Sequence, residues 1–323
     1  MTSLQWARIS NDTFNAAIFA YLPAMLASFA YLAYRRRPLL LVARVAAVAG
    51  LGAHLVSIVT RGLAAGHVPW GTMFEYSSLL AFLVVLAALV LVEGVYKVTT
   101  ITGFAIAFSV LTMAIAATTR INTPAAPLVP ALDSYWIKIH VVAAILGSSL
   151  FALGGGVLTI LYLVKDGRER RETAALAAES PAPILGASLD LSDPPHFAPG
   201  ADEAVGSLAQ SSRRRGILPP SAVIDRMAYR TIAFAFPIWT FAVIAGAIWA
   251  QQSWGRYWGW DPKETWSFIT WVIYAGYLHA RATSGWRGRG AAVIALVGFA
   301  SLLVTYYVVN LWIVGLHTYA GTG

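Results

Sequence analysis

The sequence predicts an all-α integral membrane protein with about eight transmembrane helices and both termini outside the cytoplasm. Three observations lead there. Of 323 residues, 58% are apolar and only 12% are charged, a balance found in membrane rather than soluble chains. Eight segments approach the roughly 20 apolar residues that one bilayer span needs. Lys and Arg collect in every second connection, as retention on the cytoplasmic side requires.

The predicted spans are 14–34, 39–60, 76–95, 100–119, 141–164, 231–250, 263–281 and 292–314. The first has no basic leader and no clear small-residue cleavage site, so it reads as a retained helix rather than a signal peptide. Arg35, Arg36 and Arg37 follow it, and Lys97 follows the third span. Lys165, Arg168, Arg170, Arg171, Arg213, Arg214, Arg215, Arg226 and Arg230 follow the fifth. Arg281, Arg287 and Arg289 follow the seventh. With eight spans, all of these share one side. The other side has only scattered charges, chiefly Arg8, Arg61, Arg120, Lys138, Arg256 and Lys263. Retention of basic residues inside accounts for the net charge of +8. The surface partner is therefore membrane lipid, and nucleic acid is not called for.

The chain divides into three parts. Residues 1–164 hold the first five spans, 165–225 a basic cytoplasmic loop, and 226–323 the last three spans. Between Asp166 and Ser221 the composition turns to Ala, Ser, Pro, Gly and charge, with no apolar period. Such a segment supports no packed core and reads as a flexible linker, His196 included. No internal repeat points to a solenoid or a duplicated transporter half. There are no cysteines, so this chain forms no disulfide and offers no thiolate to a metal.

One stretch stands apart. Trp254 to Trp271 reads W-G-R-Y-W-G-W-D-P-K-E-T-W-S-F-I-T-W and holds Trp254, Trp258, Trp260, Trp266 and Trp271, five of the twelve tryptophans. That is more indole than an interfacial belt needs. Flat aromatic faces with a polar edge suit a large planar ligand. Within the stretch, Asp261, Pro262 and Glu264 fit the N-cap, N1 and N3 positions of a helix, so Asp261 has a structural reading as a cap. An earlier outer loop, Arg61 to Tyr76, carries His67, Trp70 and Glu75 among glycines and a proline. It reads equally as a loop anchored at the interface by Trp70 or as part of a site.

The histidines sort by depth. His140 lies at the outer mouth of the fifth span and His317 just past the outer end of the eighth, both on the tryptophan side. Each alone reads as an interfacial histidine; together, two neutral imidazoles can take both axial positions of a haem iron. His279 is 17 residues beyond Pro262, or roughly 26 Å along a helix. It therefore lies toward the cytoplasmic side and belongs to a second, inner site or to the interface beside Arg281. His54, inside the second span, reads as structural, and Arg44 in the same span as reaching for the cytoplasmic interface.

W-G-R-Y-W-G-W-D, continued by P-K-E-T-W, resembles the tryptophan-rich (WWD) signature of the haem-handling proteins of cytochrome c maturation. With His140, His279 and His317 around it, the chain resembles the CcsA (ResC) family of system II cytochrome c biogenesis. The loop Gly66 to Tyr76 is similar to a family loop usually written Asn-Leu-Tyr-Glu, from which Thr72, Met73 and Phe74 depart. The resemblance implies a cytochrome c synthase subunit, a haem lyase in the bacterial plasma membrane with its active site on the outer face. It implies His140 and His317 as external axial ligands of haem b and His279 as an intramembrane ligand on the haem route. It implies a ResB-type partner that supplies another histidine, a thioredoxin-like thiol reductant, and apocytochrome c, whose CXXCH thiols receive the haem vinyl groups.

The residues expected to carry the reaction are Trp254, Trp258, Trp260 and Asp261. Trp258 and Trp260 would form a platform orienting the vinyls toward the thiols, which is catalysis by positioning. Trp266 and Arg256 are the remaining candidates for holding the cofactor. Arg256 and Lys263 pair with haem propionates or are simply solvated; the sequence leaves both open. Two other functions fit the same residues: a haem exporter without lyase activity, and a system I haem-handling protein of the CcmC or CcmF type.

Overall fold

The computed structural model describes residues 1–118, 124, 125, 132, 134–179, 218–283 and 285–317. Arg120, His196 and Arg213 to Arg215 fall outside them. Among the described residues, eight helical rods follow one another: α1 (Ser3–Tyr34), α2 (Arg37–Ala65), α3 (Met73–Val95), α4 (Thr102–Thr118), α5 (Tyr135–Ala178), α6 (Ser221–Trp254), α7 (Pro262–Thr283) and α8 (Arg289–Trp312). No strand occurs among the described residues. Six of the predicted spans lie within one rod each; 100–119 and 292–314 overrun α4 and α8 by one or two residues at the described ends. Six rods are long and apolar enough to cross a membrane; α4 is apolar but shorter, and α7 is not in that group. The chain is an all-α integral membrane protein.

Local chemistry sets the ends. Thr2 with Gln5 and Thr72 with Glu75 form reciprocal capping boxes that satisfy the first amides of α1 and α3. Gly66 and Gly255 close α2 and α6 in the left-handed conformation. α1 begins eleven residues before the predicted span because its first turns, though polar, are capped. α3, α5 and α8 each contain a π-helical stretch, at Ala88–Val95, Ala152–Leu158 and Val304–Val308. Such insertions often mark functional regions.

The rods pack in two groups. Buried residues of α1, α2, α3 and α4, among them Phe14, Tyr21, Phe74 and Met113, form one core. Phe151, Trp239, Tyr274 and Leu302, from α5, α6, α7 and α8, centre another. A third cluster, with Leu153, Leu158 and Met227, joins α3, α4, α5 and α6. Polar cross-links sit inside this apolar frame. His54 bonds Ser78 Oγ at 2.9 Å and faces Phe14, Tyr21 and Phe82 edge-on, so it fastens α2 to α1 and α3. Arg44, read as an interfacial residue, is half-exposed and bonds Glu93 at 3.0 Å.

The segment predicted as a loop from residue 166 is partly helical. α5 runs on to Ala178. The charge pattern explains it: Lys165–Glu169 and Asp166–Arg170 pair one turn apart, at 3.4 and 2.9 Å. Asp166 also takes Arg289 of α8 at 2.7 Å, and Glu169 accepts from the Ser221 amide and hydroxyl, which ties α5 to the start of α6. The expected linker is thus shortened at both ends, and residues 180–217 lie outside the description.

Candidate functional site

The tryptophan stretch forms the turn from α6 into α7. Gly255, at φ 72°, ends α6, and Trp260 takes φ 57° just before α7 starts. Glu264 reaches back to accept from the amides of Gly259 (2.8 Å) and Asp261 (3.2 Å). Asp261 Oδ1 accepts from the Lys263 amide at 3.0 Å. The predicted cap is present, and these bonds meet amides that a helix start leaves unpaired.

Asp261 does more than cap. Its Oδ1 lies 2.8 Å from His317 Nδ1, and its Oδ2 accepts the Leu316 amide at 2.6 Å. The carboxyl is buried, with a side-chain exposure of 3%. One carboxylate therefore joins the start of α7 to the segment after α8. Gly315 permits the approach: a Cβ there would sit 2.6 Å from Asp261 Oδ2.

The hydrogen bonds also settle the ring tautomers. An ionised carboxylate only accepts, so His317 Nδ1 carries the proton and donates. His140 Nδ1 lies 2.7 Å from the carbonyl oxygen of Ala242 on α6, which also only accepts. Both rings thus present the lone pair at Nε2, the nitrogen that can coordinate a metal, and both are held by the partner of the opposite nitrogen. Gly246 makes the His140 position possible, because a Cβ there would lie 2.7 Å from His140 Nδ1.

Both histidines line one cavity between α5, α6, α7, α8 and the start of α3. Its aromatic walls include Trp70, Tyr76, Trp239, Trp249, Trp258 and Tyr306. Tyr76 and Tyr306 stack at 4.5 Å, and Tyr306 donates to the Met73 carbonyl at 2.6 Å, an anchor that the π-helical stretch of α8 presents. Lys263 is the cationic side chain among the described lining residues, and its Nζ donates to Asn310 Oδ1 at 2.9 Å. The loop before α3 is shaped by Glu75, which pairs with buried Arg61 at 3.1 Å and accepts the Gly71 amide at 2.9 Å. That loop is part of the site: it delivers Trp70, Gly71 and Thr72 to the wall.

The electrostatics follow from these contacts. Burial pushes the Asp261 carboxyl up, but the His317 bond and charge and the Leu316 and Lys263 amides outweigh it and bring it down to about 2. Burial lowers His317, and nearby Lys263 adds to that, against the raising effect of Asp261. The ring is thereby kept neutral at physiological pH and able to coordinate.

The predicted residues separate into three sets. His140, His317 and Trp258 line the cavity. Asp261 and Trp254 stand behind His317, Trp254 meeting its ring edge-on at 4.9 Å. Trp260, Trp266, Arg256 and His279 are not among the lining residues. Trp260 is 66% exposed and forms an edge-on cluster with Trp258 and Phe268. The Arg256 guanidinium lies over Gly259 on the exposed turn. His279 is exposed near the far end of α7. The platform expected from Trp258 and Trp260 is thus divided, with only the first facing the cavity. Trp70, Trp249, Gly246 and Asn310 were not assigned to the site from the sequence. The sequence left the loop of Trp70 open between an interfacial anchor and part of a site, while Trp249, Gly246 and Asn310 carry no local signal of their own.

The profile of the family described as Cytochrome C assembly protein matches residues 70–317, which include both cavity histidines. The chain is 34% identical to the Cytochrome c biogenesis protein CcsA of Gloeobacter violaceus, over 94% of each chain. It is 32% identical to the CcsA of a Synechococcus species, over 99% of this chain and 96% of the relative. Among solved structures it is similar to the Cytochrome c Heme Lyase CcmF, with a TM-score of 0.60 and 17% identity, covering 95% of this chain and 47% of that one, a likeness of fold. The chain belongs to the CcsA family of cytochrome c biogenesis proteins.

Proposed function

We propose that this chain is the haem-handling membrane subunit of a cytochrome c synthase. It carries haem b to the outer face of the bacterial plasma membrane and supports its attachment to the CXXCH thiols of apocytochrome c. The observation that carries this reading is the pair His140 and His317. Both are fixed with Nε2 as the coordinating nitrogen, in one aromatic cavity.

The residues present fit haem. Two neutral imidazoles would serve as ligands for a haem iron, and both line one cavity with aromatic walls. Haem, when bound, supplies an iron to coordinate and two vinyl groups to receive thiols. His140 and His317 hold the iron, Asp261 and the Ala242 carbonyl orient those two rings, and Trp258 stands at the wall where a porphyrin face is to be fixed. Lys263, rather than Arg256, is the cation placed to meet a propionate, since it lines the cavity and Arg256 does not. The chain has no cysteine, so both sulfurs belong to the substrate.

His279 is the intramembrane ligand of this reading. It lies exposed on α7, so a second ligand there comes from a ResB-type partner rather than from this chain. A thioredoxin-like reductant keeps the substrate thiols reduced. Both termini lie outside the cytoplasm, with all eight rods spanning the membrane.

The test is attachment with purified components: this chain, its ResB-type partner, haem, a reductant and a CXXCH peptide. Thioether product, lost in His140→Ala and His317→Ala, supports a synthase. Haem bound at the outer cavity with no product in any preparation contradicts attachment and leaves export.

A further inference from the structure

Trp70 reaches the cavity wall from a short loop, and both peptide planes beside it are pinned. Its own amide donates to the Val68 carbonyl at 2.9 Å. The next amide, of Gly71, donates to Glu75 Oε2 at 2.9 Å. Peptide units are planar, so a bond on each side sets the direction in which the Trp70 side chain leaves the backbone. Behind it the loop rests on α2. A Cβ on Gly62 would lie 3.0 Å from the His67 carbonyl oxygen and 3.1 Å from Pro69 Cδ, so Gly62 leaves the room that the loop fills.

Glu75 has more partners than a cap needs. The reciprocal cap of α3 uses the Thr72 amide, 3.3 Å from Glu75 Oε2. The Gly71 bond is shorter and lies outside the helix. Glu75 Oε1 takes Arg61 Nε at 3.1 Å, with side-chain exposures of 1% and 6%. The Arg61 guanidinium also lies over the Phe74 ring at 4.9 Å. A buried ion pair gains little or nothing in stability over apolar side chains of similar volume. An apolar pair, however, could not hold the Gly71 and Thr72 amides. What Arg61 and Glu75 contribute is therefore the shape of the loop.

We infer that Trp70 contacts the porphyrin, and that Arg61 and Glu75 are positioning residues that hold its indole at the cavity wall. This rests on the haem reading above. Of the three loop residues at the wall, Trp70 is the one with a flat apolar face. Gly71 has no side chain, and the Thr72 hydroxyl is committed to the Glu75 amide.

Full-length protein in detergent is labelled with 5-fluorotryptophan, and the Trp70 fluorine line is identified by its absence from Trp70→Phe. Without hemin it should be a single line. The Arg61→Met, Glu75→Gln variant removes both charges together and keeps a capping residue at N3. In it the Trp70 line should move or split while the other tryptophan lines stay. Arg61→Lys, which keeps the charge and loses the Nε bond, should shift the same line by less, and decides the matter if the double variant does not fold. An unmoved Trp70 line would overturn the positioning role. Hemin is then titrated and read at the Soret band. Trp70→Ala should bind it about tenfold more weakly, the order that loss of one aromatic face gives. The charge-free pair should weaken binding in the unaltered chain and add little in Trp70→Ala, because it acts through that indole. Equal weakening in both backgrounds would show the pair acting on the fold and would also overturn the positioning role. Normal hemin affinity in Trp70→Ala, beside a loss in His140→Ala, would overturn the contact and leave the haem reading standing. If no preparation binds hemin, the haem reading fails and the contact with it, while the fluorine lines still decide whether the pair holds Trp70.

Discussion

The two ends of α7 are built differently. At its start, Asp261, Lys263 and Glu264 are committed to partners on three sides, and one carboxylate ties the cap to His317. At its far end, His279 is exposed, while Arg281 two residues on is buried in an ion pair with Asp225 at 2.7 Å and lies over the Tyr229 ring at 4.7 Å. The outer histidines are thus oriented from within the chain. The inner one is presented by a helix whose other face is clamped. On the proposed reading, the chain supplies both ligands at the start of α7 and one at its far end, which would separate a site that a single subunit holds from one that needs a second.

The largest effect expected is at the outer pair. His317→Ala or His140→Ala removes one of the two oriented imidazoles, and absorption of the purified protein should lose its six-coordinate haem features in either case. His279→Ala should leave that outer spectrum intact when haem is supplied directly, and lower only the haem acquired in cells with the partner present. An equal loss from all three would erase the distinction between the ends.

Asp261→Ala should follow. It removes a helix cap worth about 1 kcal/mol and a charge-assisted hydrogen bond worth about 1.5–3 kcal/mol, so both thermal midpoint and haem occupancy fall. Asp261→Asn keeps an acceptor for the Lys263 amide and should restore more of the midpoint than of the haem affinity. If both variants lose the two properties in parallel, Asp261 acts on the fold alone. Gly246→Ala is expected to weaken haem binding with a smaller loss of stability, because the new Cβ displaces the His140 ring; a normal haem spectrum would show that ring free to shift.

The pH dependence has a definite sign. The Asp261 carboxyl is held at about 2, below its ordinary 3.8, so its stabilisation is present above 3.8 and lost as pH falls through about 2. His317 is lowered from 6.5, so the unfolded chain takes up that proton first and this group's contribution to stability declines as pH drops below 6.5. A pH series of thermal midpoints should therefore lose more on going from 6.5 to 5 in the unaltered protein than in a His317→Gln variant. The smallest effect belongs to the tryptophans: Trp258→Ala should reduce attachment more than Trp260→Ala, because only Trp258 faces the cavity. The reverse order would move the porphyrin to the exposed side of the turn.

The sequence disclosed some levels of this arrangement and not others. Hydropathy alone located all eight rods, because burial of apolar surface in lipid is a property of long segments. The cap at Asp261 was legible, since capping is local. The second bond of Asp261, to a histidine 56 residues away, was not. Nor was the Ala242 carbonyl, a backbone group that every residue possesses and only tertiary packing aims. The π-helical stretches were hidden for the same reason, although three successive glycines at Gly154 to Gly156 mark one of them. The helical continuation to Ala178 was available in the spacing of Lys165 with Glu169 and Asp166 with Arg170, a pattern that composition obscured.

The most direct test of the account is the visible absorption spectrum of the purified protein, alone and with the proposed ResB-type partner, compared among the unaltered chain, His140→Ala, His317→Ala and His279→Ala. The account predicts a Soret band with six-coordinate features that either outer substitution weakens and that haem supplied from outside restores in His279→Ala. Absence of haem from every preparation, with the partner present and haem supplied, would contradict it and leave the aromatic cavity in need of a different ligand.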